Sequence, residues 1–242
     1  MKAPFPLILV LVLMGLLSGC AVLDVSSLET AIPLQPRRVE ISTNQSIGID
    51  LETVVLQDED LNNGETPPGY RPEANSVTGV QAAIGLQNDM EAGGRFWLSP
   101  FNYGGRIFLK KLLDKDVNRY FAIQPAVTYL RSYDDDPGES YIYTAIGSEL
   151  QLLYTLKASS NFAFTLVGRG NINRYQEQYT DQNGDEIVYG PYTLFQGGLR
   201  GNIELRLHPF FFVPELGIEV VPVVNGETTL VPVIGFALGV EL

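Results

Sequence analysis

Residues 228–242, with the sequence TTLVPVIGFALGVEL, alternate large apolar side chains with small or charged ones toward their C-terminal end. One set comprises Ile234, Phe236, Leu238, Val240 and Leu242, and the other comprises Gly235, Ala237, Gly239 and Glu241. Successive side chains of a β-strand point to opposite faces, so a period of two predicts a strand with one apolar face. This stretch therefore favours a sheet protein over a helical one.

The same period of two recurs along most of the chain, in residues 47–55, 144–156, 162–174 and 193–207. Repeated strands of this kind, joined by hairpins, predict an all-β, antiparallel up-and-down barrel of about ten strands. The count depends on residues 94–113, where paired glycines and a proline interrupt the pattern. If residues 95–99 are not a separate strand, the count falls to eight or nine.

The predicted connections alternate between long and tight. Long acidic connections are predicted at 57–76, 133–140 and 178–191, and tight connections at 114–118, 157–161 and 208–210. Asn63-Gly64, Asn183-Gly184 and Asn225-Gly226 indicate hairpins, because type I′ turns need positive φ at both central residues. One rim of the barrel is therefore expected to be acidic, and the rim with the tight turns, near Lys110, Lys111, Lys115, Arg119 and Lys157, basic.

Composition excludes several classes of function. The 28 acidic and 16 basic residues give a net charge of -12, which disfavours binding to nucleic acid. A single cysteine excludes an intramolecular disulfide, and a single histidine leaves few residues for metal or triad chemistry. We therefore expect no metal and no cofactor.

The N-terminus reads as a secretory signal. Lys2 precedes the apolar run 7–17, which is too short to span a bilayer as a mature helix. The following Leu17-Ser18-Gly19-Cys20 resembles the lipobox of bacterial lipoproteins, which implies cleavage before Cys20 and acylation of that residue. Because Ala21 stands where an Asp retains enteric lipoproteins in the inner membrane, the resemblance implies the outer membrane.

Three regions follow from this interpretation. Residues 1–19 are the cleaved lipoprotein signal peptide, residues 20–45 a lipidated periplasmic tether, and residues 46–242 an outer-membrane β-barrel. The tether either runs along the membrane or partly plugs the lumen. With Cys20 in the periplasmic leaflet and both termini on that side, the long acidic loops face outward.

The function depends on which strand face lies inside. In a lipocalin-like barrel the apolar face encloses a ligand, whereas in a membrane barrel it contacts lipid. The polar face here carries both signs of charge, which favours a lumen of ion pairs. The predicted luminal charge network consists of Glu149, Arg169, Arg200, Glu204, Arg206 and Glu219. Because an eight- to ten-strand barrel barely holds its own side chains, a wide porin is disfavoured.

Two further features favour the membrane. Aromatic residues gather near predicted strand ends, as interfacial girdles require, at Phe96-Trp97, Tyr120-Phe121, Phe162, Phe164 and Phe210 to Phe212. The last strand also ends flush with the chain and resembles the signal read by the outer-membrane barrel assembly machinery, although Leu242 replaces the usual Phe or Trp. Expected partners are this machinery, outer-membrane lipid and lipopolysaccharide.

Candidate chemical sites are few. His208 precedes Pro209 at a tight connection, without a nucleophile placed to need it, so we expect a turn role. The run 181–186 (DQNGDE) carries oxygen donors, but its spacing departs from an EF-hand loop and a hairpin is preferred. We predict a non-enzymatic protein with a structural or surface role or narrow solute passage. The alternatives are a lipid-anchored periplasmic calyx for an apolar ligand and a rim-active outer-membrane enzyme.

Overall fold

The computed structural model describes residues 22–24, 27–50, 74–99, 102–136, 139–180, 184–222 and 228–242. These residues form eleven strands of one antiparallel sheet. The strands are β1 (Val22–Asp24), β2 (Val39–Asp50), β3 (Ala74–Gln87), β4 (Met90–Leu98), β5 (Asn102–Lys115), β6 (Arg119–Asp136), β7 (Glu139–Lys157), β8 (Phe162–Thr180), β9 (Glu186–Leu207), β10 (Phe210–Pro222) and β11 (Thr228–Glu241). No helix long and apolar enough to cross a membrane occurs among these residues.

Strands β2 to β11 close into a ten-stranded up-and-down barrel. Each strand pairs with the next, and β2 closes the cylinder by pairing with both β3 and β11. The predicted fold class is confirmed. A strand is also present within residues 95–99, the stretch on which the strand count depended. Residues 95–98 belong to β4, which pairs with β3 on one side and β5 on the other.

The two ends of the barrel differ. At one end, here called the turn end, short turns join β3 to β4, β5 to β6, β7 to β8, and β9 to β10. The barrel also starts and finishes there, since Val39 and Leu242 each donate a backbone N–H to the other's carbonyl oxygen, at 3.1 and 2.8 Å. The opposite end, here called the loop end, carries the connection 51–73, which lies outside the described residues.

Two of the predicted acidic loops are largely strand. Residues 133–136 and 139–140 continue β6 and β7, and residues 178–180 and 186–191 continue β8 and β9. Their cross-strand hydrogen bonds continue the ladder, so the acidic composition of 133–140 does not end the strands. The four strands β6 to β9 have 18 to 22 residues. β9 pairs with β10 only from Gly197 onward, so residues 186–196 extend beyond this pairing toward the loop end.

The barrel begins earlier than the sequence indicated. β2 starts at Val39, inside the segment 20–45 that was predicted as a tether. The short strand β1 also lies at the loop end, where Val22 pairs with Asp50, whereas the chain's start was expected at the turn end. The sequence offered no signal for β1, because residues 22–38 have no sustained alternation. Residues 1–21, which include the predicted signal peptide and Cys20, lie outside the described residues.

The outer face of the barrel is apolar, whereas the inner face carries the buried charged and polar side chains together with clusters of apolar ones, which is the orientation that the charge pattern predicted. Leu199 is 57% exposed whereas Arg200 is 1% exposed, and Ile107 is 76% exposed whereas Arg106 is 4% exposed. The calyx alternative requires the reverse arrangement and is therefore wrong for this fold.

The predicted aromatic girdles are only partly correct. Phe96, Phe162, Phe164 and Phe210 are exposed on the outer face, but Trp97, Tyr120 and Phe211 are buried in the interior. The physical reason is the alternation itself: adjacent aromatic residues on a strand point to opposite faces, so one of each pair enters the lumen.

The packing of Trp97 in the interior allows a test of which strand face points into the barrel. A Cβ on inward-facing Gly104 would approach the Trp97 indole to 2.3 Å, whereas one on Gly105 would meet only the Arg95 carbonyl oxygen at 3.5 Å. Gly104→Ala should lower the free energy of unfolding by about 1–3 kcal/mol, and Gly105→Ala should change it by less than about 0.5 kcal/mol. Urea titration followed by fluorescence of Trp97, the chain's single tryptophan, measures both. Equal unfolding midpoints for the two variants would contradict the assignment.

Candidate functional site

The lumen contains a piece of the chain itself. Residues 27–34, here called the inner segment, precede the first barrel strand and run inside the cylinder. Ser27, Leu28, Glu29, Ala31 and Leu34 are buried there, each with 8% of its surface or less exposed. The inner segment has no strand partner along its length, so its backbone donors must be satisfied by side chains.

Glu215 on β10 holds the start of the inner segment. Its carboxylate accepts the backbone N–H of Ser27 at 2.9 Å, the backbone N–H of Leu28 at 2.8 Å and the Ser27 hydroxyl. Leu28 has φ 52°, a left-handed conformation that costs a leucine about 1–2 kcal/mol. The hydrogen bond to Glu215 and the packing of Leu28 on Phe211 and Val213 offset that cost.

Further down the lumen, side chains from three other strands hold the inner segment. The Ala31 N–H donates to Thr155 Oγ1 at 2.8 Å, and the Leu34 N–H donates to Glu91 Oε2 at 2.8 Å. Asn202 Nδ2 donates to the Glu29 carbonyl oxygen, also at 2.8 Å. Charged and polar groups of the barrel interior thus take the place of a strand partner.

Glu29 is the one acidic side chain of the inner segment, and it joins a buried cluster on β3, β4 and β5. Lys110 Nζ lies 2.8 Å from Glu29 Oε2 and 2.9 Å from Glu91 Oε1. Gln81 Nε2 donates to Glu29 Oε1 at 2.8 Å, and Arg106 Nη2 lies 3.4 Å from the same oxygen. All five residues are at most 6% exposed, so each charge depends on its partners and not on water.

Four of the six predicted network residues form one cluster inside the barrel. Arg169 pairs with Glu149 at 2.5 Å and with Glu219 at 3.1 Å, and Arg200 pairs with Glu219 at 2.5 Å. Arg106 joins the cluster through Glu149 at 2.9 Å and so connects it to Glu29. The ion pairs therefore run from the inner segment across the lumen to β10.

The other two predicted residues belong to a separate group at the turn end. Arg206 pairs with Glu204 at 2.5 Å, with Glu40 at 3.1 Å and with Glu241. This group is more exposed, because about a fifth of the Arg206 side chain is accessible. A cavity of about 170 Å³ lies beside it, between residues 30–35 of the chain and the barrel wall.

Sequence reasoning missed Glu29, Glu91 and Arg106, and it wrongly placed Lys110 on the basic rim, because the inward face of β5 carries Lys110 into the lumen, where it is 3% exposed. The parity of the strand could have identified Arg106 and Lys110, because they share the inward face of β5 with Gly104 and Phe108. Glu29 carried no such signal, since it lies outside any alternating stretch and its position depends on the tertiary fold.

The candidate chemical residues do not converge on a site. His208 is exposed in the turn between β9 and β10, the tight connection predicted for it. Residues 181–183 of the candidate calcium loop lie outside the described residues. Within the described ranges, no group of three or more His, Cys, Asp or Glu side chains is arranged to hold a metal ion.

Known structures with a similar fold are bacterial outer-membrane barrels. They include the outer membrane protease OmpT of Escherichia coli (9% identity, 89% of this chain, 99% of that one, TM-score 0.47). They also include the translocator domain of the autotransporter NalP of Neisseria meningitidis (11%, 86%, 88%, 0.44) and the attachment invasion locus protein Ail of Yersinia pestis (9%, 86%, 100%, 0.35). No protein-family model and no curated protein matches the chain. At these values the likeness concerns the barrel and does not extend to an activity.

The buried ion pairs predict a strong asymmetry between interior and surface substitutions. Glu219→Gln removes the carboxylate that Arg169 and Arg200 share and leaves Arg200 facing Glu215 at 3.9 Å; breaking a buried ion pair in this way costs about 3–5 kcal/mol. Asp89→Asn removes the solvent-exposed pair with Lys111 and should leave the free energy of unfolding unchanged. Urea titrations of both variants measure the difference. A Glu219→Gln midpoint equal to that of Asp89→Asn would contradict the burial of the network.

Proposed function

We propose that the chain is an outer-membrane β-barrel lipoprotein with a closed lumen, which displays the extended ends of β6 to β9 at the cell surface. The role is structural or adhesive and not enzymatic. The observation that carries this proposal is the lumen, which the inner segment and paired charges fill.

The outer face supports membrane insertion. Outward side chains of the strands are apolar, among them Ile107, Val127, Leu152, Leu166 and Leu199, all at least 44% exposed. A soluble barrel would expose this whole surface to water, far more than the few hundred Å² that soluble monomers usually expose. A lipid bilayer accommodates it without cost, and the closed sheet leaves few backbone groups unpaired there.

The long strands support a surface role. About 9–11 residues of a tilted strand cross a bilayer, and β9 has 22. The remainder of β6 to β9 therefore projects beyond the membrane at the loop end. Short turns typically lie on the periplasmic side and longer connections outside, which orients this projection toward the exterior. Its acidic tips include 134–136, 139, 185 and 186, and divalent cations there would bridge to lipopolysaccharide phosphates.

Narrow solute passage is the second candidate. Asn44, Gln124 and Asn171 are buried, and neither side-chain polar atom of any of the three has a hydrogen-bond partner. Buried amides of this kind usually bond to ordered water. Narrow solute passage requires a water-filled path past the inner segment.

Electrical conductance in planar bilayers separates the two candidates. The intact protein should show no unitary current, because its lumen is occupied. Replacing residues 27–34 with an equal length of glycine and serine should open the lumen and produce a current. A glycine–serine replacement of residues 158–161, a turn outside the lumen, is the control. This variant should show no unitary current.

Each protein is first checked for the heat-dependent gel migration of a folded barrel. Unitary currents from the intact protein would contradict the closed lumen and favour solute passage. A boiled and an unboiled sample that migrate alike, with the protein absent from the membrane fraction, would contradict membrane insertion itself.

A further inference from the structure

The position of β1 fixes the end of the barrel at which the described chain begins. β1 pairs with the last residues of β2, with Val22 opposite Asp50 and Asp24 opposite Gly48. β2 begins at the turn end and rises to the loop end, so Asp50 lies at the loop end. The described part of the chain therefore begins, at Val22, at the end of the barrel opposite to the one where β2 begins.

The barrel seam leaves room for β1 at this place. β11 pairs with β2 only from Glu40 to Ser46, although β11 continues to Thr228 alongside β10. Beyond Ser46, the edge of β2 that faces β11 carries β1. The chain thus enters the cylinder at an opening between β2 and β11 at the loop end.

The chain then descends through the lumen. Ser27 and Leu28 bond to Glu215, which lies opposite Gly235 and hence level with Ser46 of β2. Leu34 bonds to Glu91, near the turn end. The descent ends where Pro36 bridges to Gly85.

There the chain reverses. Arg37 has φ 67°, the Arg38 N–H donates to the Gln35 carbonyl oxygen at 3.0 Å, and β2 begins at Val39. The inner segment therefore runs from the loop end to the turn end, and β2 returns along the wall.

We infer that the N-terminal part of the described chain is threaded outward through the barrel, so that Val22 lies at the external face of the membrane. This inference rests on the proposed function, which supplies the membrane and its orientation. Two residues separate Val22 from Cys20, and an extended chain of that length spans at most about 7 Å. Acyl chains on Cys20 would therefore insert into the outer leaflet and not the periplasmic one.

The opposite route is sterically closed. To reach the periplasmic leaflet, the residues before Val22 would have to pass back through the lumen, which the inner segment already occupies. The remaining path follows the outside of the barrel through the hydrocarbon layer, where an irregular backbone leaves its polar groups unpaired at several kcal/mol each. Emergence at the external face avoids both costs.

Threading also implies an order of assembly. The inner segment precedes every barrel strand in the chain, and its partners Glu91, Thr155 and Glu215 lie on β4, β7 and β10. The barrel must close around the segment, because an acylated N-terminus cannot pass through the finished interior. Closure around the segment requires pairing of β2 with β11, the first and last strands of the barrel.

Labelling of introduced thiols on intact cells tests the inference. Val22→Cys and Leu23→Cys are made separately, because neighbouring strand positions present opposite faces. Asp185→Cys reports the loop end and Ser159→Cys the turn end, both at exposed positions. The reagent is a membrane-impermeant maleimide. The parent protein, whose only cysteine is Cys20, sets the background.

The inference predicts that Val22→Cys or Leu23→Cys is labelled on intact cells as fully as Asp185→Cys, and that Ser159→Cys is labelled only after the outer membrane is permeabilised. If Asp185→Cys is labelled on intact cells while neither Val22→Cys nor Leu23→Cys is, the threading is wrong and the proposed barrel stands. If Ser159→Cys is labelled on intact cells and Asp185→Cys is not, the proposed orientation itself fails.

Discussion

Burial of charge inside a narrow cylinder is the constraint on which the rest of the structure depends. Arg200 and Glu219 are at most 1% exposed, and an ion removed from water remains stable only when partners satisfy it. The interior therefore needs both signs of charge in near contact. Buried ionic residues lie on the inward faces of β4, β5 and β7 to β10, while the outward faces carry the exposed apolar residues. A bilayer is the environment that suits this outer face.

The inner segment completes this interior. Its backbone N–H groups need acceptors because it has no strand partner, and the carboxylates of Glu91 and Glu215 supply them. In return, Glu29 brings a negative charge to Lys110 and Arg106. The segment is thus part of the ion-pair network and not a separate plug, which links closure of the lumen, stability of the barrel and the path of the N-terminus to the same contacts.

The alternation of residues such as 199–206 was enough to predict the strands of the barrel, because side-chain period is a local property. The direction of the faces needed a second observation, the two signs of charge on the polar face. The extension of β6 and β7 was hidden because acidic residues at 133–140 resemble a loop, while the cross-strand ladder that keeps them extended is a tertiary feature. For residues 20–45 the sequence left two paths open, along the membrane or into the lumen, and residues 27–34 follow the second. Their contacts could not be predicted, because the partners lie on strands far along the chain.

Contact between lipid acyl chains and side-chain methyl groups tests the central claim most directly. Nuclear Overhauser effects from acyl-chain protons, measured on the unmodified protein in lipid nanodiscs, compare neighbours on one strand: Leu152 with Leu153 on β7, and Leu166 with Val167 on β8. Leu152 and Leu166 are exposed on the outer face, whereas Leu153 and Val167 are 0% exposed. The account predicts strong lipid contacts for the first residue of each pair and none for the second. Equal contacts within each pair, or the reverse pattern, would contradict it.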